Sequence, residues 1–201
     1  MSFLANCKKR VVSLVFLSSV SVTALLGQKS AASCDKCSAS YIGNEELQAY
    51  LRRAEGKAVS DQQVRTVDAG NSNITLAIVS RGKLPEPTSV SVAEHDLVGE
   101  VYYVLDGSAT LVTGTDMVEV KRKTDKRNGP GANAASIHNG TTFNLKAGDS
   151  IIIPAGLGHW FTKIDDHVRY IMVRIDPDKV TALKDEAASR DDLSGKSSAK
   201  E

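Results

Sequence analysis

With 201 residues, 41% of them hydrophobic and 24% charged, the chain has enough apolar material for one domain plus appendages and can bury a core without staples. Its 25 basic and 24 acidic residues nearly cancel. No basic block is large enough to track a phosphate backbone, which argues against nucleic acid as a partner.

In chain order, the first feature is Lys8, Lys9 and Arg10 ahead of an uncharged run from Val11 to Leu26. A positive stretch, a short apolar stretch and then small residues (Ala31, Ala32, Ser33) follow the order of a secretory signal. The run is shorter than the ~20 residues a spanning helix needs. The expectation is therefore a signal peptide over 1–27, cleaved between Gly27 and Ser33, with no stable membrane insertion afterwards and a periplasmic or secreted product. Residues 1–27 hold three of the basic residues and none of the acidic ones, which leaves the mature chain at a formal charge of −2. Cys7 leaves with the signal. Cys34 and Cys37 remain as CDKC, which reads as a small disulfide loop in an oxidising compartment; without a second pair or nearby histidines it is a poor zinc site.

The segment 28–63 contains one short helix, Asn44 to Ala54. Asn44 is placed to cap it, Glu45 and Glu46 suit its first turn, and Leu47, Tyr50, Leu51 and Ala54 share a face before Gly56 stops it. From 64 to 176 the helical period gives way to short β-rich runs: 74–80, 88–95, 100–107, 108–114, 117–121, 142–146, 150–154, 159–164 and 168–175. Turn residues separate them, among them Asp106-Gly107, Ala147-Gly148-Asp149 and Asp165-Asp166. Many short strands at this spacing predict an all-β sandwich or barrel with antiparallel pairing. Residues 121–141 are basic, then rich in Gly, Ala and Asn, and read as a long loop. Over 177–201, Asp176 and Pro177 are suited to start a helix, and the end, from Ser189, reads as a solvated tail.

Four histidines occur: His95, His138, His159 and His167. His95 ends one strand, Glu100 begins the next, and His159 follows a glycine turn. Alternation puts Glu100, Tyr102 and Val104 on one face. If that face is interior, a carboxylate is buried among apolar groups, which is costly without a partner. Two imidazoles and a carboxylate converging on a divalent metal would offset that cost, and the set suits iron, manganese, zinc, nickel or copper. Tyr102 and Phe161 share the interior parity, and so does Lys163, placed either to pair with an anionic substrate or to snorkel at an edge. Trp160 is on the outward parity. His138 and His167 read as solvated, and parity does not decide which of Arg169 and Arg174 faces inward.

Two segments resemble the motifs of the cupin superfamily. In AEHDLVGEVYYVLDG, His95, Glu100 and Gly107 stand at motif spacing, and in GDSIIIPAGLGH so do Gly148, Pro154, Gly156 and His159. The resemblance covers Val90 to Ile175. It implies an all-β, single cupin (double-stranded β-helix, jelly-roll) barrel with short flanking helices, and a divalent transition metal on His95, Glu100 and His159. Ala93 stands where the first motif's leading histidine would be, so one of four usual ligands is missing. By resemblance the partner is a small-molecule ligand or substrate, lined by Tyr102, Phe161 and Lys163, and the chain is a homodimer. The motifs do not choose a reaction. Metal-dependent chemistry of the oxygenase, isomerase or lyase kind and a non-enzymatic ligand-binding module both remain open, with catalytic residues unassigned.

Overall fold

The computed structural model describes residues 38–88 and 91–196. The expected signal segment, its cleavage region, Cys34 and Cys37 lie outside the described residues.

A helix, α1 (Asn44–Arg53), precedes twelve strands: β1 (Val59–Asp68), β2 (Asn73–Arg81), β3 (Val92–His95), β4 (Gly99–Gly114), β5 (Asp116–Val118), β6 (Lys121–Asp125), β7 (Gly129–Ala134), β8 (Ser136–His138), β9 (Thr141–Lys146), β10 (Ser150–Ile153), β11 (Gly158–Lys163) and β12 (Val168–Asp176). A second helix, α2 (Glu186–Leu193), follows. Ten strands form one sheet in the order β1-β2-β12-β4-β11-β3-β7-β6, with β9 and β10 also paired to β4. Every described pairing is antiparallel. The sheet curls into an all-β barrel, as the run of short strands predicts, of the kind the motif resemblance implies.

The spine of the barrel is β4. The sequence suggests two strands here with a turn at Asp106-Gly107, but the chain runs through as one. Its first half pairs β12 and β10, its second half β11 and β9. Gly107 makes this possible. It sits at φ +76, and a Cβ there would lie 2.1 Å from the His167 carbonyl oxygen, so only glycine lets β12 pass this close. The inward row, Tyr102, Val104, Ala109 and Leu111, joins Ala77, Val79, Phe161, Ile164, Tyr170 and Met172 in the main core.

The segment 121–141 is not a loop. It forms β6, β7 and β8, with β7 paired to β3 and β6. Small residues obscure the strand signal in sequence yet suit this place: a Cβ on Gly131 would come within 2.3 Å of the Glu94 carbonyl oxygen. The Asp125 carboxylate accepts from the backbone N–H groups of Arg127 and Asn128 and closes the β6–β7 turn.

At the ends, α1 lies where expected, but Gly43 rather than Asn44 is its cap and makes no side-chain bond. Tyr50, fully buried, packs with Val64 and Ile78. The second helix begins at Glu186, not at Pro177. Asp176 ends β12 and its carboxylate accepts from Val180 and Thr181 N–H, while Asp185 caps α2 by accepting from Ala188 N–H. The sequence from Ser189 to Leu193 is therefore no tail. Ser189 is fully buried and its hydroxyl donates to the Val64 carbonyl, and the Lys184 ammonium donates to the Gln63 carbonyl, the Tyr50 hydroxyl and the Asp192 carboxylate. Among the described residues no helix is long and apolar enough to cross a membrane.

Candidate metal centre

Three strands and one turn assemble the centre. His95 is the last residue of β3, Glu100 the second of β4 and His159 the second of β11. Between β10 and β11, Pro154 stops the strand and Gly156 reverses the chain at φ +79. The Gly156 N–H donates to the His95 carbonyl at 2.7 Å. That bond ties the turn of one motif to the histidine of the other, so the two segments are held together before any side chain is considered.

The three side chains converge in the barrel interior. Glu100 Oε1 lies 3.4 Å from His95 Nε2, and Glu100 Oε2 lies 3.6 Å from His159 Nε2. The imidazole centroids are 5.3 Å apart, one ligand atom from each residue falls within 4.8 Å of the others, and all three residues are buried. Around them, the Tyr102 hydroxyl donates to Glu100 Oε2 at 2.6 Å. Arg174, directly opposite Glu100 in the β12–β4 register, sets Nε 3.4 Å from Glu100 Oε1 and bonds Asp61 Oδ2 through Nη2 at 2.5 Å.

Protonation follows from these neighbours. Burial opposes ionisation of Glu100, but the His95 hydrogen bond, the charges that His159 and His95 carry once protonated, and Arg174 outweigh it and hold the carboxyl well below the usual carboxylate range. His159 is lowered to about 4, chiefly by burial, against the pull of Glu100. It is therefore neutral at pH 7. Its Nδ1 lies 3.2 Å from the Leu157 carbonyl, which can only accept, so Nδ1 carries the proton and Nε2 presents a lone pair. That lone pair faces a carboxylate oxygen which also carries lone pairs. A cation between them resolves the opposition. The donor set and its protonation thus fit a divalent transition metal on His95, Glu100 and His159, with the Leu157 carbonyl fixing one imidazole and Tyr102 fixing the carboxylate in the manner of outer-shell partners.

A cavity of about 190 Å³ opens over the three ligands. Four cationic side chains (Arg81, Lys123, Arg127, Arg174) and three carboxylates (Asp61, Glu100, Asp125) line it. Arg174 is buried, yet its Nη1 has no hydrogen-bond partner among the described residues. Ala93 also lines the cavity, directly opposite His159 in the β11–β3 register.

Of the other residues singled out in the sequence, Tyr102 lies in the cavity wall as its parity predicts. Phe161 is buried behind it, stacked with Tyr102 and Tyr170, and faces a neighbouring cavity. Lys163 is not part of the site. The β11–β4 register shifts between Phe161 and Lys163, which breaks the alternation, and the ammonium sits on the surface, 2.9 Å from Asp165. Trp160 points outward, as expected, and donates to the Ser91 hydroxyl. Arg174 is the inward arginine of its pair, while Arg169 lies outside beside Asp106. Asp61 escapes a reading of the sequence because β1, with Gln62, Gln63 and Arg65 in its middle, alternates too weakly to stand out as a strand, and Arg81 because it lies one residue past the strand read over 74–80. Arg174 carries a visible signal: it shares parity with Val168, Tyr170 and Met172, all buried.

No family model and no curated protein matches the chain. The antiparallel barrel, with the two motif segments meeting at the His95–Glu100–His159 cluster, has the cupin-type fold that the resemblance implies. Solved structures similar to it include the Clostridium difficile EutQ protein, at 16% identity over 60% of this chain and 69% of that one with a TM-score of 0.38. The Schizosaccharomyces pombe Cnp3 cupin domain is 13% identical over 60% of this chain and 66% of its own, with a TM-score of 0.38. The DMSP lyase DddQ from Ruegeria pomeroyi is 15% identical over 74% of this chain and 57% of its own, with a TM-score of 0.39. At these values the likenesses decide nothing about activity.

Proposed function

We propose that this chain is an exported cupin that holds one divalent transition metal on His95, Glu100 and His159 and performs metal-dependent chemistry on a small organic anion. The observation that carries the reading is the buried meeting of two imidazoles and a carboxylate, with the lone pair of His159 Nε2 facing a carboxylate oxygen. A metal bound there supplies Lewis acidity at neutral pH. The chain supplies the rest. Tyr102 holds Glu100 by a short hydrogen bond, and burial followed by the Glu100 charge keeps its own hydroxyl protonated. Arg174, kept charged because Asp61 and Glu100 outweigh burial, lines the cavity and adds a fixed positive charge beside Glu100, which favours a carboxylate or phosphate there. The excess of cationic over anionic lining side chains favours an anion. Export rests on the order of charge and hydropathy over residues 1–33.

Elemental analysis of purified protein tests this directly, with one equivalent of a transition metal per chain as the expected result. His159→Ala should lose that metal while circular dichroism stays that of a β-barrel. Protein purified without chelator that carries no stoichiometric metal overturns the reading. One observation favours a second reading: Ala93 leaves three ligands where a cupin centre usually has four. If metal is absent and small anions still bind, the pocket is a binding module.

A further inference from the structure

A second cavity, of about 390 Å³, adjoins the one over the ligands, and both are lined by Val59, Arg81 and Ala93. Leu84, Phe161 and Ile164 supply its apolar walls. The first cavity alone falls below the ~300 Å³ at which ordinary small-molecule pockets begin, while the second lies inside their range. Ala93 stands on the shared wall, and its methyl group is small enough to leave the two spaces adjoining. A larger residue there would stand between them.

Arg81 marks the junction. Its guanidinium carbon lies 4.5 Å from the Phe161 ring centroid, and its Nε donates to the Tyr170 hydroxyl at 3.1 Å. Both partners are neutral. The other cations lining the first cavity each face a carboxylate: Lys123 faces Asp125, Arg127 faces Asp61, and Arg174 faces Asp61 and Glu100. Among the described residues none lies within ion-pair distance of Arg81. A guanidinium without a counter-charge, at the mouth of an apolar chamber and beside the metal ligands, complements an anion that carries a hydrocarbon chain.

We infer that the chamber behind Ala93 is a ligand subsite: it takes the apolar chain of a monocarboxylate whose head group sits on Arg81. This extends the organic-anion reading given above and rests on its charge argument, but not on the metal. The test is calorimetric titration of metal-free protein with butanoate, hexanoate and octanoate. Affinity should rise about fourfold per added methylene, the increment for burying a CH₂ group. Arg81→Gln should weaken every member of the series, and Ala93→Leu should remove the dependence on chain length while circular dichroism stays unchanged. Should Ala93→Leu fail to fold, methyl resonances of Leu84 and Ile164 in the unsubstituted protein carry the decision, since octanoate must shift them. A series with no chain-length dependence, or octanoate that leaves those methyls unmoved, overturns the subsite and leaves the metal assignment standing. Absence of metal with an intact chain-length series does the reverse.

Discussion

Two clusters of charge stand in this molecule, one half-buried and one buried, and they are built differently. Under α2, Lys184 bonds Gln63, Tyr50 and Asp192, Asp192 also receives Arg53, and Ser189 bonds the backbone of β1. Donors meet acceptors throughout. In the barrel, a lone pair on His159 faces a carboxylate, His95 Nδ1 is buried without a hydrogen-bond partner among the described residues, Arg174 keeps an unused donor, and a cavity lies over all of it. Charge that closes on itself fastens a helix to a sheet, whereas charge left open in a cavity is set up for something that arrives later.

The sharpest way to break this contrast is to neutralise the open cluster. Glu100→Gln should weaken metal binding by at least ~100-fold, since losing even an outer-shell partner typically costs 10–100-fold; competition with a chelating dye reads the change. Tyr102→Phe keeps the ring stack and removes one bond to the carboxylate, so a loss of about 10–100-fold is expected in the same assay. In the closed cluster, Lys184→Met should lower unfolding free energy by about 1–3 kcal/mol, the scale of hydrogen bonds to charged groups, with metal content unchanged. Urea titration and elemental analysis together would show whether the two clusters are independent. Acidification separates them as well. His159 is lowered in the folded chain to about 4 from an unfolded value near ~6.5. Between those values the unfolded chain binds more protons, so metal-free stability should decline as pH falls through that window, and the depressed carboxyl of Glu100 continues the decline below it. The metal-loaded protein should resist down to a lower pH, which thermal melts at several pH values would reveal. The smallest effect belongs to Lys163→Ala, an exposed pair with Asp165, which should change stability by less than about 0.5 kcal/mol and metal binding not at all.

How much of this is legible in the sequence depends on the kind of signal each part emits. Where apolar residues alternate, as in β2, β4 and β12, strands can be read directly. The three candidate ligands are legible because a carboxylate on an interior face needs a partner, and two histidines at turn boundaries are placed to meet it. The hairpin β6–β7 is hidden, because glycine and alanine suited to close approach to β3 look like loop composition. The bulge after Phe161 misdirects Lys163, since parity holds only while pairing is regular. Arg81 and Asp61 come into the site through the β1–β2 pairing, a long-range property that no local pattern announces. Pro177 suggests a helix start, but the carboxylate of Asp176 is committed to Val180 and Thr181 instead.

The length of β4 bears on the order of events as the protein matures. One continuous strand carries Glu100 near its beginning and, near its end, Thr113, which lies opposite His159 in the register with β11. Two of the three ligands are thus positioned by opposite ends of a single segment, and the third waits on the pairing of β3 with β11. No short piece of the chain contains the complete ligand set. A metal on these residues would therefore follow the pairing of the strands and not seed it, unlike the ion of small metal-nucleated modules. A metal held as proposed would enter a barrel already paired, through the cavity above His95, Glu100 and His159, and the metal-free protein would have to be stable on its own.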